Sequence, residues 1–197
     1  MEYRTNPENL NRIHLSIERI QNNTIDFDLN SIPIIIADIE NAQEIYSGNT
    51  IFEKAYLTSF GSVKGNVNYK NSTYHLVVLN FQFIEMLELS ERELDGVISH
   101  ELGHIFNKYQ FEIVPTHLDV MQDKATISDI ERIKTNNRNN NEFYADHFSK
   151  ITLNSEGLIS SIAKFTESEF CENKDLFQLR IIELYSDRIY IGEVHTI

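Results

Sequence analysis

Ser90-Glu91-Arg92-Glu93-Leu94-Asp95-Gly96-Val97-Ile98-Ser99-His100-Glu101-Leu102-Gly103-His104-Ile105-Phe106 is the most ordered stretch of the 197-residue chain. Ser90 and Glu93 form a capping box, in which each side chain can satisfy a backbone N–H left free by the first helical turn. Behind the box, Leu94, Val97, Ile98, Leu102, Ile105, Phe106 and Tyr109 recur at helical spacing. That spacing predicts a helix from about Glu91 to Lys108. His100 and His104 stand at i and i+4, one turn apart on one face, and can chelate one tetrahedral Zn²⁺. Glu101 falls beside the open coordination position, where it can act as general base toward water activated by the metal. Two imidazoles and a carboxylate inside an apolar helix are costly to bury unless they hold something.

Zinc needs a third protein ligand. The metzincin continuation would require Gly at 107 and His at 110, where the chain has Asn107 and Gln110. Downstream stands Asn141-Glu142-Phe143-Tyr144-Ala145-Asp146. Glu142 and Asp146 are also i and i+4, so on a helix they share a face. The longer Glu142 can ligate the metal while Asp146 accepts an N–H from a liganding histidine and fixes its tautomer. Ala145 is small enough to let this helix approach the first. His117, Asp119 and His147 are next in line as ligands. His147 is expected on a helix surface, and Tyr109 and Tyr144 could donate to an oxyanion but fit aromatic packing better. His14, His75 and His195 have no motif around them.

Further out, Leu10, Ile13, Ile17 and Ile20 predict an amphipathic helix over about 8–22. Ile32–Ile39, Ala55–Ser59, Val67–Tyr69 and Tyr74–Leu79 read as strands, with Gly61–Asn66 as a turn between strands. The tract Asn136–Asn141 reads as loop leading to a helix that starts near Asn140 or Asn141. A short helix is expected near Ile127–Ile133, and two more over 155–167 and 175–187. Together these predict an α+β architecture, a small mixed or antiparallel sheet packed on the histidine-bearing helix with further helices. Residues 1–54 are expected to extend a domain formed by 55–197, as one compact unit. Lys and Arg number 17 against 30 Asp and Glu, a net charge of −13, which argues against a groove that tracks nucleic-acid phosphates. No apolar run is long enough to span a bilayer, and no signal peptide is evident, so a cytoplasmic location is expected. The one cysteine, Cys171, excludes an internal disulfide framework and any CxxC motif; it reads as a small buried hydrophobe.

His100-Glu101-Leu102-Gly103-His104 followed by Glu142-x-x-Ala145-Asp146 resembles the gluzincin zinc metallopeptidases. Within them it is most similar to the HtpX and CAAX-prenyl-protease group, and especially to that group's small soluble relatives, the minigluzincins. The resemblance extends back through Leu76–Leu79, Met86-Leu87 and Glu93-Leu94-x-x-Val97-Ile98, and covers about residues 55–185. It implies a zincin-like fold and a zinc endopeptidase. His100, His104 and Glu142 would be its ligands, Glu101 its catalytic base, Asp146 the support of a histidine, and a peptide or protein its substrate. It also implies that substrate adds antiparallel to an exposed edge strand above the metal, for which Tyr74–Leu79 is the candidate. The group often carries His-Pro ahead of an Arg-Ile pair; here Arg180-Ile181 stands without it. The ImmA/IrrE-type regulatory peptidases also pair HExxH with E-x-x-A-x-x-F, which Glu142, Ala145 and Phe148 match. A dedicated regulatory peptidase therefore stays open, as does a metal-binding interaction protein blocked by its own N-terminal segment.

Overall fold

The computed structural model describes residues 1–24, 28–46, 59–106, 113–116, 120–122, 124–153 and 155–186. Along the chain run β1 (Glu2–Arg4), α1 (Pro7–Asn23), β2 (Ile34–Asp38), α2 (Ile39–Ile45), β3 (Gly61–Tyr69), β4 (Ser72–Leu79) and α3 (Phe81–Met86). They are followed by α4 (Glu91–Phe106), α5 (Ile127–Leu153), α6 (Glu156–Glu167) and α7 (Lys174–Tyr185). The four strands lie in the order β1-β2-β4-β3; β1, β2 and β4 are parallel, and β3 is antiparallel to β4. The fold is therefore mixed α+β, and the first 54 residues supply two of the four strands among the described residues. No helix among the described residues is long and apolar enough to cross a membrane.

Strand β2 is apolar on both sides because both faces of the sheet are covered. Ile34 and Ile36 join Val77, Leu79, Ile13, Ile20, Leu94, Ile98 and Leu102 in the main core beneath α1 and α4. Ile35 and Ala37, pointing the other way, meet Leu76, Val78, Ala42 and Ile45 under α2. Side chains alternate across a strand, so only a near-continuous apolar run can fill two such cores.

Three sequence expectations need correction. Gly61–Asn66 is part of strand β3 rather than a turn. The reversal comes instead at Lys70-Asn71, whose φ of 46° and 65° give the left-handed pair that a tight hairpin requires. What made 61–66 look turn-like is a break in register between Lys64 and Val67, with Asn66 at φ 57°, a bulge inside the strand. Tyr74–Leu79 is not an edge: β4 lies between β2 and β3, and among the described residues the edge on that side is β3. The Asn136–Asn141 tract is not loop either, because one continuous helix runs from Ile127 to Leu153. Thr126 and Asp129 cap its start reciprocally, with Asp129 accepting from the Thr126 N–H at 3.0 Å and Thr126 accepting from the Asp129 N–H at 3.1 Å. Ile130, Ile133, Asn137, Ala145 and Phe148 then form one buried stripe through the tract. Asparagine is a weak helix former, by roughly 0.5–0.7 kcal/mol per residue against alanine, but packing of a continuous stripe outweighs that. The expected strand over 55–58 lies outside the described residues.

Candidate metal centre

Helix α4 starts where its capping box demands. The Ser90 N–H donates to Glu93 Oε2 at 2.6 Å, and the Glu93 N–H reaches Ser90 Oγ at 3.4 Å. The helix is buried from Glu93 to Gly103. Its last turns meet α5 at very short range, because Gly103 has no side chain: a Cβ there would stand 2.7 Å from the Cα of Ala145. That contact brings the His100–His104 face of α4 against the Glu142–Asp146 face of α5.

Three donors converge at the contact. The Nε2 atoms of His100 and His104 are 3.2 Å apart, while the Glu142 carboxylate is 3.5 Å from the first and 3.7 Å from the second. Tetrahedral bonds of about 2.0–2.1 Å separate donor atoms by about 3.3 Å, so this triangle has the size of one metal's ligand set. The three residues could together hold a metal ion. Asp146 stands behind: its Oδ1 is 2.8 Å from His100 Nδ1, so Nδ1 carries the proton and Nε2 faces Glu142 and His104. Nδ1 of His104 is buried with no hydrogen bond from the described residues.

The electrostatics match that division. Burial and the Arg180 charge push the His100 imidazolium toward losing its proton, but hydrogen bonds to Asp146 and Glu142 prevail and raise it to about 9. Burial and the neighbouring His100 charge lower His104 to about 4. Two ring nitrogens this close repel unless one cation lies between them, so the pair accommodates one positive charge and not two. Glu142 and Asp146 lie well below the usual carboxylate range despite their burial, held there by His100 and Arg180. Glu101 behaves oppositely: burial raises it to about 7. Its carboxylate accepts no hydrogen bond from the described residues, and Gly61 of β3 lies directly over it, where a Cβ would come within 2.8 Å of Oε1.

Arg180, from α7, is the residue that sequence reasoning left without a role. Its guanidinium grips Asp146 with two bonds, Nε to Oδ2 at 2.8 Å and Nη2 to Oδ1 at 2.6 Å, and reaches Glu142 Oε2 at 3.0 Å. It also stacks on Phe177, 5.3 Å from the ring centre. The available signal was charge balance. Glu101, Glu142 and Asp146 converge with only two histidines to offset them, and a buried carboxylate group of that size calls for a permanent cation. Among the other candidates, His147 is half-buried outside the cluster and Cys171 is buried in an aromatic cluster with Phe83 and Phe165. His75 lines the site cavity. His14 packs against the Tyr3 ring. Tyr109, His117, Asp119 and His195 lie outside the described residues.

The cluster opens into a cavity of about 650 Å³ bounded by the start of β3, α4, α5, α6 and α7. Comparisons with protein-family models, with curated proteins and with solved structures find no match for the chain.

Proposed function

We propose that the chain is a zinc-dependent metalloendopeptidase of the gluzincin type. The observation that carries this reading is the donor triangle of His100, His104 and Glu142 with the unpaired Glu101 carboxylate beside it, open to a cavity. The donor set suits zinc: two imidazoles, whose shared proton a metal would displace, and one carboxylate, with His100 oriented by a second carboxylate. Charge balance agrees. Arg180 offsets Asp146, leaving Glu142 and Glu101 to face a dication.

Zinc bound by His100, His104 and Glu142 would supply a Lewis acid that polarises the peptide carbonyl and makes water acidic enough to ionise near neutral pH. Glu101 takes the proton as the water oxygen bonds to the carbonyl carbon. It returns that proton to the amide nitrogen as the C–N bond breaks, giving a carboxylate product and an amine. Without metal, burial raises Glu101 to about 7; a dication beside it would favour the carboxylate that accepts the proton. Asp146 holds the His100 Nδ1–H, and Arg180 holds Asp146, so the imidazole cannot turn away from its partners. Strand β3, with no partner strand on its outer side among the described residues, offers backbone groups from Gly61 onward to an extended peptide. Gly61 itself keeps that strand close to Glu101 without a clash.

The test is metal analysis of the purified protein together with digestion of an unfolded protein substrate, with and without a chelator. About one zinc per chain and chelator-sensitive cleavage are expected. A different metal, or zinc without hydrolysis of any peptide bond, would remove the reading.

A further inference from the structure

The start of β3 carries an arrangement that strand pairing alone does not require. The Asn80 N–H donates to the Phe60 carbonyl at 2.9 Å, and Gly61, the next residue, stands opposite Leu79. Opposed residues in an antiparallel pair alternately exchange two hydrogen bonds and none. Phe60 is bonded toward β4, so the N–H and C=O of Gly61 turn to the outer side, where β3 has no partner strand among the described residues. The Ser59 hydroxyl engages both groups. It accepts from the Gly61 N–H at 3.3 Å and donates to the Gly61 carbonyl. One side-chain oxygen thus makes the two bonds that a residue of an added strand would make there. Ser59 is itself fixed from behind, since the buried Asn80 side chain donates to its carbonyl at 3.4 Å.

The place is chemically pointed. Ser59 lines the site cavity, and Gly61 is the residue of β3 that lies directly over Glu101. A peptide pairing with β3 above Glu101 therefore competes with the hydroxyl for the same donor and the same acceptor. We infer that Ser59 is a latch on the edge of β3, a built-in competitor of the substrate backbone that a peptide opens by replacing both bonds at Gly61. The inference rests on the peptidase reading above, which seats a peptide on β3, and adds the residue that opposes the seating. Opening needs only a rotation about the Ser59 Cα–Cβ bond, from one staggered position to another. Ser59 touches no reacting atom, so the latch weakens ground state and transition state alike. It raises KM and leaves kcat alone. Water takes over the Gly61 groups once the hydroxyl is deleted, so the net effect is that of one hydrogen bond, roughly 2- to 10-fold.

The experiment compares the zinc-loaded full-length protein with its Ser59→Ala and Ser59→Thr variants on one peptide that the parent cleaves. Ser59→Ala should lower KM by about 2- to 10-fold with kcat unchanged. Ser59→Thr keeps the hydroxyl and should keep the parent KM. Amide hydrogen exchange at Gly61, followed by NMR in the peptide-free proteins, reads the latch without turnover. It should be faster in Ser59→Ala and parent-like in Ser59→Thr. An unchanged or raised KM in Ser59→Ala, or a fall in kcat, would overturn the inference, because Ser59 would then support the strand rather than compete for it. Gly61 exchange that ignores the loss of the hydroxyl would overturn it as well, and so would Ser59→Thr behaving like Ser59→Ala. Each of these results leaves a peptidase. No cleavage by parent protein with bound zinc would instead remove the peptidase reading, and this inference with it.

Discussion

Glu93 and Glu101 are both buried carboxylates on α4, about two turns apart, and they have opposite chemistry. Glu93 is fully engaged: Ser160 Oγ donates to Oε1 at 2.6 Å, the Ser90 N–H donates to Oε2 at 2.6 Å, and Lys164 Nζ lies 2.9 Å from Oε2. Burial favours its protonated form, yet Ser160, Lys164 and Ser90 outweigh burial and hold the carboxyl down at about 2. Glu101 has burial without those donors, and stands at about 7. The difference teaches how one helix serves two purposes. A carboxylate with donors on both oxygens ties α4 to α6, whereas one left unpaired in a dry site stays free to accept a proton.

The largest expected effect separates the two by function. Glu101→Gln should lower hydrolysis by roughly 10²- to 10⁴-fold, because the amide cannot take a proton from water. Bound zinc should stay near that of the parent, and folding stability should not fall below it. Peptide turnover, metal content and a urea titration measure all three, and loss of metal along with activity would make Glu101 a structural residue like Glu93. Arg180→Ala attacks the site's charge balance instead. It leaves Asp146 and Glu142 without their buried cation, and unfolding of the metal-free protein should become easier by about 3–5 kcal/mol in urea. A loss near zero would mean that solvent already neutralises the cluster. Asp146→Ala should keep zinc bound but weaken it by about 10- to 100-fold, as loss of a group that orients a liganding histidine does. Glu142→Ala should weaken binding far more in the same competition assay. The reverse ranking would exchange the two carboxylates' roles.

How far the sequence carries follows from the same contrast. The capping box, the α4 stripe and the i, i+4 pairs are local patterns, legible because helical geometry alone puts those residues on one face. The proximity of Glu142 to His100 followed only from requiring a third ligand. Arg180 was beyond that reasoning because its partners are 34 and 80 positions away, and nothing local distinguishes a buried arginine from a solvated one. The Asn136–Asn141 tract misled for a related reason. Its composition favours loop, while the stripe that makes it helix is visible only when Ile130 and Phe148 are read as parts of one element. The edge strand was misassigned because hydrophobicity marks interior strands such as β4, which lies between β2 and β3, and an edge is by nature less apolar.

The smallest effects test the comparison most directly, through pH. Glu93 is depressed from 4.5 to about 2. The stability it contributes is therefore present above pH 4.5 and is lost as pH falls from there through about 2. Glu101 is raised from 4.5 to about 7, so its contribution is present below pH 4.5 and is lost as pH rises through about 7, where ionisation charges an unpaired buried group. Glutamine at either position has no such dependence. In metal-free protein, Glu93→Gln should be less stable than the parent by roughly 1–3 kcal/mol at pH 6, the order for hydrogen bonds to a charged group, and the gap should close toward pH 2. Glu101→Gln should run the other way, near the parent at pH 4 and gaining on it up to pH 8. Urea unfolding of the three proteins at four pH values is enough to see it. Parallel curves for the two variants would mean that Glu93 and Glu101 share one environment, and the division of α4 into a tethered half and a reactive half would not stand.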